Sequence, residues 1–326
     1  MWQAHAEQWS ILHEFRIARG AKRVAEVVVV TFTRDGVVGR GECVPYPRYG
    51  ESVQDVLDVL STLDQQHSKP VDVLRTLPPG ALRNGLDCAL WDWRAQAEGI
   101  PVWELLGLPR PQAVVTAFTI GIGVVDEMHT QAVANAARPV LKVKLGGADA
   151  GHDADRLRGV CAGAPKAQII VDANEGWDSH ALELMLAVAQ ECDVALIEQP
   201  LPAGADEALL TLESPVLIGA DESVHTAGDL DELRQKYDVV NIKLDKTGGL
   251  THALKMIECA KVLEFEIMVG CMVATSLSMA PAMLLAPLAR FVDLDGPLLL
   301  RDDRQGGLHY ENSTIHWPPD RFWGER

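Results

Sequence analysis

Positive charge is scarce in this sequence of 326 residues. Lys and Arg together number 29 against 46 Asp and Glu, which leaves a formal net charge of −17 and a sequence pI near 5.0. Proteins that bind nucleic acid or anionic membrane surfaces through a broad electrostatic footprint carry the opposite balance. Neither partner is therefore expected. A content of 48% hydrophobic and 23% charged residues indicates an ordinary folded protein.

Features that indicate secretion or membrane insertion are also missing. The six cysteines lie far apart and form no C-x-x-C pair and no zinc-finger spacing, so free thiols in a reducing compartment are expected. The first residues lack the basic and apolar regions of a secretory signal. The most apolar stretch, residues 268–288, is interrupted by glycine, proline and hydroxyl residues, which disfavours a membrane span. We expect a cytoplasmic protein.

The length allows about two domains, and the pattern changes along the chain. Residues 27–38 predict a hairpin turning at Arg34-Asp35-Gly36, and apolar residues three and four apart over 81–99 predict a helix. Beyond these, eight short apolar runs, each followed by a helical pattern, predict a TIM-type barrel of the α/β class. A doubly wound open sheet is the alternative, but no glycine-rich phosphate-binding motif follows any run. The runs are 114–120, 141–145, 168–172, 194–198, 216–220, 239–244, 267–269 and 291–293.

Charged residues recur where these predicted strands end, and in a barrel such positions converge on one mouth. Three are carboxylates from successive strands, and oxygen ligands without nearby His or Cys favour a hard cation, Mg²⁺ first and Mn²⁺ second. Lysines flank the carboxylate strands on both sides, and a lysine beside another lysine and a cation has a lowered pKa and can act as a base. Taken singly, each carboxylate also suits a helix N-cap and each lysine a solvated strand end. The residues are Lys142, Lys144, Asp172, Glu198, Asp221 and Lys243.

The strand-end segments resemble those of the enolase superfamily, and within it the muconate-cycloisomerase-like subgroup. They read LKVKL at 141–145, IVDAN at 170–174, IEQP at 197–200, ADES at 220–223 and NIKL at 241–244. The resemblance covers essentially the whole chain. It implies a modified (β/α)₇β barrel over residues 113–297, with an α+β capping domain formed by residues 1–112 and completed by the tail 298–326.

The resemblance also implies roles for the strand-end residues. Asp172, Glu198 and Asp221 match the metal ligands, Lys144 and Lys243 match the acid/base pair, and Lys142 lies near the substrate carboxylate. The chemistry shared by this superfamily is removal of a proton α to a carboxylate, which gives an enediolate.

Three further segments narrow the range of possible substrates. Asp293 and Asp295, in DLDGP at 293–297, resemble the D-x-D signature of the dipeptide epimerases, whose aspartates hold the ammonium of the N-terminal residue. Alone, this segment is also typical of an Asx-rich turn. Arg19, in a cluster that is otherwise a solvated basic loop, matches the position that binds a glutamate side-chain carboxylate. Residues 41–51, with Tyr46, Arg48 and Tyr49, resemble a capping loop that closes over the mouth.

The activity implied by the resemblance is an isomerase, a Mg²⁺-dependent dipeptide epimerase. It would invert the α-carbon of the C-terminal residue of L-Ala-D/L-Glu, in the salvage of murein peptides, by proton transfer between two lysines. A small acidic dipeptide is the expected partner, and the sequence leaves a homo-oligomer open. An enzyme of the o-succinylbenzoate synthase or muconate cycloisomerase type, or a non-catalytic ligand-binding barrel, also remains open, although those alternative substrates lack an ammonium group for Asp293 and Asp295.

Overall fold

The computed structural model describes residues 1–63, 70–147, 149–318 and 321–325. The chain begins with a three-stranded antiparallel sheet whose strands lie in chain order. Asp35 and Gly36 join the last two strands with φ of 53° and 76°, the left-handed conformation of tight hairpin turns. The predicted hairpin is therefore confirmed. The elements of this part are β1 (Trp2–Ile17), β2 (Gly20–Arg34), β3 (Val37–Cys43), α1 (Val53–Leu63), α2 (Pro70–Thr76), α3 (Ala81–Glu98) and α4 (Val102–Leu105).

The predicted helix, α3, packs directly on β3. At Gly41 a Cβ would lie 2.2 Å from the backbone oxygen of Gly85, and at Gly39 it would lie 2.2 Å from that of Ala89. Glycine in the strand therefore allows helix and sheet backbones to approach closely. Gly99 ends the helix in the left-handed conformation, with φ of 70°.

Eight parallel strands form the rest of the core, and in the sheet they lie in the order in which they follow one another along the chain. The N–H of Ala117 donates to the carbonyl of Val292 over 2.8 Å and draws the two ends of this sheet together into a nearly closed barrel. The elements are β4 (Val114–Val115), β5 (Phe118–Ile120), α5 (Val125–Ala134), β6 (Val140–Lys144), α6 (Ala150–Gly163), β7 (Gln168–Asp172), α7 (Ser179–Glu191), β8 (Val194–Glu198), β9 (Leu217–Ala220), α8 (Leu230–Leu233), β10 (Val239–Ile242), α9 (Leu244–Thr247), α10 (Leu250–Val262), β11 (Glu266–Gly270), α11 (Ser276–Met283), β12 (Phe291–Asp293), α12 (Gly296–Leu299), β13 (His309–Glu311) and β14 (Thr314–His316).

An apolar layer fills the inside of the barrel below the predicted site. It consists of Ile170, Leu196, Val239, Met268 and Phe291, all buried. Side chains two residues apart on a strand share a face, so the residue two positions after Ile170 and the one two positions after Leu196 also point inward. These positions are Asp172 and Glu198, and the strand periodicity therefore sets charged groups directly above an apolar floor.

Two predicted strands differ from the structure. The run 114–120 is divided, because Val114 and Val115 pair with β14 in a separate small sheet and only Phe118–Ile120 enters the barrel. The run 239–244 ends as a strand at Ile242, and α9 begins at Leu244. None of the described helices combines the length and the apolar composition that a membrane span needs.

Candidate active site

The predicted strand-end residues lie together at one end of the barrel. Lys144 of β6, Asp172 of β7 and Glu198 of β8 pair in register across neighbouring strands. Asp172 and Glu198 are fully buried. Above them, a cavity of about 780 Å³ lies between the barrel and the β1–β2 hairpin. Its lining includes the other seven predicted site residues, Arg19, Lys142, Lys144, Asp221, Lys243, Asp293 and Asp295.

Lys142 lies at the centre of this arrangement and contacts three carboxylates. Its Nζ lies 2.7 Å from Glu198 Oε2, 3.1 Å from Asp172 Oδ2 and 2.7 Å from Asp293 Oδ2. Only 1% of the lysine is exposed. A buried charge is tolerated when it is paired, and here one ammonium group ties two strand-end carboxylates to the D-x-D segment.

Lys144 and Lys243 come from opposite sides of the barrel, since three strands separate β6 from β10. The Nζ of Lys144 lies 2.5 Å from Asp172 Oδ2, and that of Lys243 lies 2.6 Å from Asp221 Oδ2. Both side chains line the same cavity. The site therefore presents two amines to a bound molecule from two sides, which suits proton transfer on both faces of one carbon.

Two further buried side chains hold the strand-end carboxylates. Asn241 Nδ2 donates to Glu198 Oε1 over 2.6 Å, and Lys246 Nζ donates to Asp221 Oδ1 over 2.5 Å. Sequence reasoning gave neither of them a role in the site. Asn241 precedes Lys243 by two residues, so strand alternation could have placed it on the inner face. Lys246 lies one turn beyond the strand, and only α9 brings it back to the site.

The pKa values of the three carboxyls diverge because their partners differ. Burial raises the pKa of Asp172, but Lys144 and Lys142 outweigh it and hold that pKa below its usual range. Burial also raises the pKa of Asp221, but the charges of Lys243 and Lys246 outweigh it and lower that pKa well below normal. For Glu198, burial and the charge of Asp172 raise the pKa to about 7. Asp172 and Asp221 are thus the more strongly ionised members of the set.

The lysine pKa values follow from the same contacts. Burial lowers the pKa of Lys243, but the charge of Asp221 outweighs burial and raises the pKa well above normal. The carboxylates around Lys142, Asp293 first, raise its pKa in the same way against burial. Both ammonium groups are therefore charged while they stay paired. The lowered pKa that the sequence predicts applies to a lysine beside a bound cation and stays a prediction.

The three strand-end carboxylates fit a hard divalent cation by their chemistry. All donors are oxygens, and the 2.7 Å contact of Glu198 Oε2 with Lys142 Nζ is an ion pair without hydrogen-bond geometry. Across those residues, however, no three acidic, His or Cys side chains converge in a geometry ready for a metal. The lysine contacts account for this difference, because Lys142 lies between Asp172 and Glu198 and other lysines hold both oxygens of Asp221. The ammonium groups supply there the positive charge that a cation would bring.

The D-x-D aspartates lie on the side of the cavity formed by β12. Asp295 Oδ2 accepts from the backbone N–H of Thr119 over 2.7 Å, and burial together with the charge of Asp293 raises the pKa of Asp295 to about 7. Asp293 Oδ1 is buried and accepts no hydrogen bond among the described groups. Leu294, between them, is fixed by hydrogen bonds from Tyr310 Oη to its carbonyl and from its own N–H to Thr116 Oγ1.

Arg19 reaches the cavity from the turn between β1 and β2. Its Nη1 lies 2.6 Å from Glu222 Oε1 and 3.1 Å from Glu175 Oε2, and donates to the carbonyl of Asn174 over 3.0 Å. Burial alone lowers the pKa of Arg19, but the charge of Glu222 outweighs it and raises the pKa. Sequence reasoning did not single out Glu175. Its contacts depend on left-handed backbone at Asn174 and Glu175, with φ of 46° and 66°, which no local pattern indicates.

Two family models match the chain in succession. Residues 3–107 match the N-terminal domain of mandelate racemase and muconate lactonizing enzyme, and residues 125–321 match the enolase C-terminal domain-like family. The L-Ala-D/L-Glu epimerase of Escherichia coli (strain K12) is 41% identical over 95% of this chain and 97% of its own. The N-acetyl-D-glutamate racemase of Pseudoalteromonas sp. is 42% identical over 91% and 95%.

A solved structure is similar over nearly the entire length. It is an enolase family member from Agrobacterium tumefaciens with homology to dipeptide epimerases, crystallised with sodium and L-Ala-L-Glu, and it superposes with a TM-score of 0.93 at 48% identity over 99% of both chains. The fold, the family models and the curated relatives therefore indicate the same family. This chain belongs to the enolase superfamily, in the family of mandelate racemase and muconate lactonizing enzyme, and is an isomerase of its epimerase and racemase group.

Proposed function

We propose that this protein is a dipeptide epimerase that inverts the α-carbon of the C-terminal residue of L-Ala-D/L-Glu. One observation carries the proposal. Lys144 and Lys243 line one cavity from opposite sides of the barrel, together with Asp293 and Asp295 and with the guanidinium of Arg19. A dipeptide with an ammonium group at one end and a side-chain carboxylate at the other has the complementary charges.

Each ionic group of the substrate then has a partner. Asp293 and Asp295 bind the ammonium, Arg19 binds the side-chain carboxylate, and Lys142 contacts the carboxylate next to the reacting carbon. One of Lys144 and Lys243 removes the α-proton, and the other delivers a proton to the opposite face, which inverts the centre. After one turnover the two amines have exchanged their protonation states, so each must exchange a proton with solvent before the next turnover in the same direction.

The same proposal assigns Mg²⁺, or Mn²⁺, to Asp172, Glu198 and Asp221. When bound, the ion stabilises the negative charge that develops on the substrate carboxylate. Asn241 and Lys246 keep Glu198 and Asp221 in place through their hydrogen bonds. For the organisation of the chain, we propose a capping domain of residues 1–112 with the tail 298–326, over a barrel of residues 113–297.

A second candidate is the racemisation of N-acetylglutamate, an activity that the Pseudoalteromonas relative has by name. The ammonium subsite supports it. Asp293 is paired with Lys142, and the pKa of Asp295 is about 7. The two carboxyls therefore do not leave two unbalanced negative charges near neutral pH, and a substrate without an ammonium group is tolerated better than the D-x-D segment alone suggests.

Proton exchange at the α-carbon separates the candidates. The protein is incubated in D₂O with Mg²⁺ and L-Ala-L-Glu, L-Ala-L-Gln or N-acetyl-L-Glu, and the α-proton is followed by NMR. We expect deuterium uptake and formation of the second epimer with L-Ala-L-Glu. Turnover of N-acetyl-L-Glu alone would replace the first proposal by the second. If none of the three exchanges while other dipeptides do, glutamate is the wrong C-terminal residue, and if no dipeptide exchanges, the epimerase proposal fails.

A further inference from the structure

Glu175 connects two segments to the barrel, the turn between β1 and β2 that holds Arg19 and the segment of residues 41–51 that holds Arg48. It follows β7, and 8% of its side chain is exposed. Its Oε2 accepts from Arg48 Nε over 2.8 Å and from Arg19 Nη1 over 3.1 Å. Its Oε1 accepts from Arg48 Nη2 over 2.7 Å and from the backbone N–H of Ala203 over 2.9 Å. One carboxylate thus receives four N–H groups from three separate parts of the chain.

These contacts leave one side of Arg19 available. All three of its close oxygen contacts, with Glu175, Glu222 and the carbonyl of Asn174, are made by Nη1. Toward the rest of the described chain, the Nε and Nη2 side makes one hydrogen bond, from Nη2 to Tyr46 Oη over 3.4 Å. Carboxylates bind guanidinium groups through two parallel N–H bonds, and this side retains that pair of donors.

We propose that Glu175 is a positioning residue that gives the enzyme its selectivity for an acidic C-terminal residue. This inference rests on the proposed function. Glu175 holds Nη1 of Arg19 at the barrel, so that the Nε and Nη2 side receives the side-chain carboxylate of the substrate. Because the same carboxylate binds Arg48, the segment that contains Tyr46 is fixed together with Arg19.

Glu222 also contacts Nη1 of Arg19, but it does not fix the segment that contains Tyr46. It makes no ion pair with Arg48 among the described contacts, and it is the neighbour of Asp221 in the proposed metal site. Among the described residues, only Glu175 binds both arginines through one carboxylate, and it does not lie next to a proposed metal ligand.

The test compares two substrates of nearly equal shape, L-Ala-L-Glu and L-Ala-L-Gln. Glu175→Gln removes the charge and leaves one acceptor oxygen for four N–H groups. We expect KM for L-Ala-L-Glu to rise about tenfold or more, the factor that corresponds to the loss of one charged hydrogen bond, while kcat and KM for L-Ala-L-Gln stay within about twofold. Glu175→Asp keeps the charge and should retain part of the preference for glutamate.

A matched control is available on the outer helices. Glu191 accepts from Arg158 Nε through Oε1 over 3.0 Å and from Arg158 Nη2 through Oε2 over 2.8 Å, in the same two-bonded manner as Glu175 binds Arg48. Glu191→Gln should leave the ratio of kcat/KM for the two substrates unchanged. If Glu175→Gln does not fold, the same ratio measured for Glu175→Asp decides the matter, because an unchanged ratio in that variant also contradicts the proposal.

Failure of this inference is distinguishable from failure of the proposed function. If wild-type protein epimerises L-Ala-L-Glu and Glu175→Gln lowers kcat/KM equally for both substrates, Glu175 is only structural and the inference is overturned. A wild-type enzyme that does not distinguish the two substrates overturns it as well. Absence of exchange with every dipeptide in the wild-type protein rejects the proposed function itself, and the inference with it.

Discussion

Lowering the pH below 7 should weaken the binding of L-Ala-L-Glu, because Asp295 must ionise before it can pair with the ammonium group of the substrate. Burial and the charge of Asp293 raise the pKa of Asp295 from 3.8 to about 7. At pH 5.5 the carboxyl is therefore about 1.5 pH units below its pKa. That difference corresponds to an affinity roughly 30-fold below that for the fully ionised carboxyl, a loss on the order of 2 kcal/mol.

The sign follows from the charge of the two partners. An ammonium group stabilises the ionised form of Asp295, so binding lowers its pKa and releases a proton below pH 7. Above about pH 8 the α-amino group of the dipeptide loses its own proton. Binding should then be tightest between about pH 7 and about pH 8 for this pair of groups. N-acetyl-L-Glu, which has no ammonium group, should show no such release.

Calorimetric titration measures both the affinity for the dipeptide and the number of protons released on binding. The equilibrated mixture of L-Ala-D-Glu and L-Ala-L-Glu is used as the ligand, so that turnover contributes no heat. Titrations in buffers of different ionisation enthalpy count the protons released at pH 5.5, 6.5 and 7.5. Asp295→Asn should abolish the release and flatten the pH dependence, whereas Asp302→Asn, at an exposed position, should not. Equal pH dependence in wild type and Asp295→Asn would refute the reasoning.

Other perturbations test the remaining parts of the site. Lys243→Ala should lower epimerisation by at least about 100-fold while α-proton exchange in D₂O persists from one epimer; unimpaired epimerisation would remove this lysine from the mechanism. Chelation with EDTA should abolish turnover and lower the melting temperature, and Mg²⁺ should restore both; full activity after exhaustive chelation would contradict the metal assignment. Asp245 accepts hydrogen bonds from the Val44 N–H and Asn84 Nδ2, and burial raises its pKa to about 7. The protonated carboxyl therefore stabilises the fold fully below pH 3.8, and this stabilisation is lost as the pH rises through 7. Between pH 4 and 8 the free energy of unfolding should fall, relative to that of Asp245→Asn, by on the order of 4 kcal/mol. Urea-unfolding profiles that stay parallel for the two proteins would contradict this.

Sequence periodicity predicts the barrel because parallel strands covered on both faces are continuous apolar runs. The run at residues 168–172 matches its strand at both ends, and the charged residue that closes it, Asp172, lies in the site. The division of the first run could not be predicted in the same way. Val114 and Val115 find their hydrogen-bond partners in Ile315 and Thr314, about 200 residues later, and local pattern carries no information about such a distant pairing.

Within the site, the groups that could be predicted are those set by strand alternation. Lys144, Asp172 and Glu198 are level because the strands run parallel and in register. The contacts of Lys246 and Glu175 could not be predicted, because their positions depend on backbone beyond the strand ends. A single turn of helix returns Lys246 to Asp221, and left-handed backbone at residues 174 and 175 turns Glu175 toward the two arginines.

The net charge of −17 and an acidic substrate are compatible because the two act over different distances. At physiological ionic strength, exposed charges are screened beyond about 8 Å, so acidic groups on the outer helices contribute little inside the cavity. The charges that line the cavity determine which molecule binds. The positively charged side chains among them lie at the positions proposed for the substrate carboxylates. Asp293, which is paired with Lys142, and Asp295 lie on the β12 side of the cavity, at the position proposed for the ammonium group. The overall charge therefore limits which macromolecules this protein binds, while the placement of individual groups in the cavity selects the small molecule.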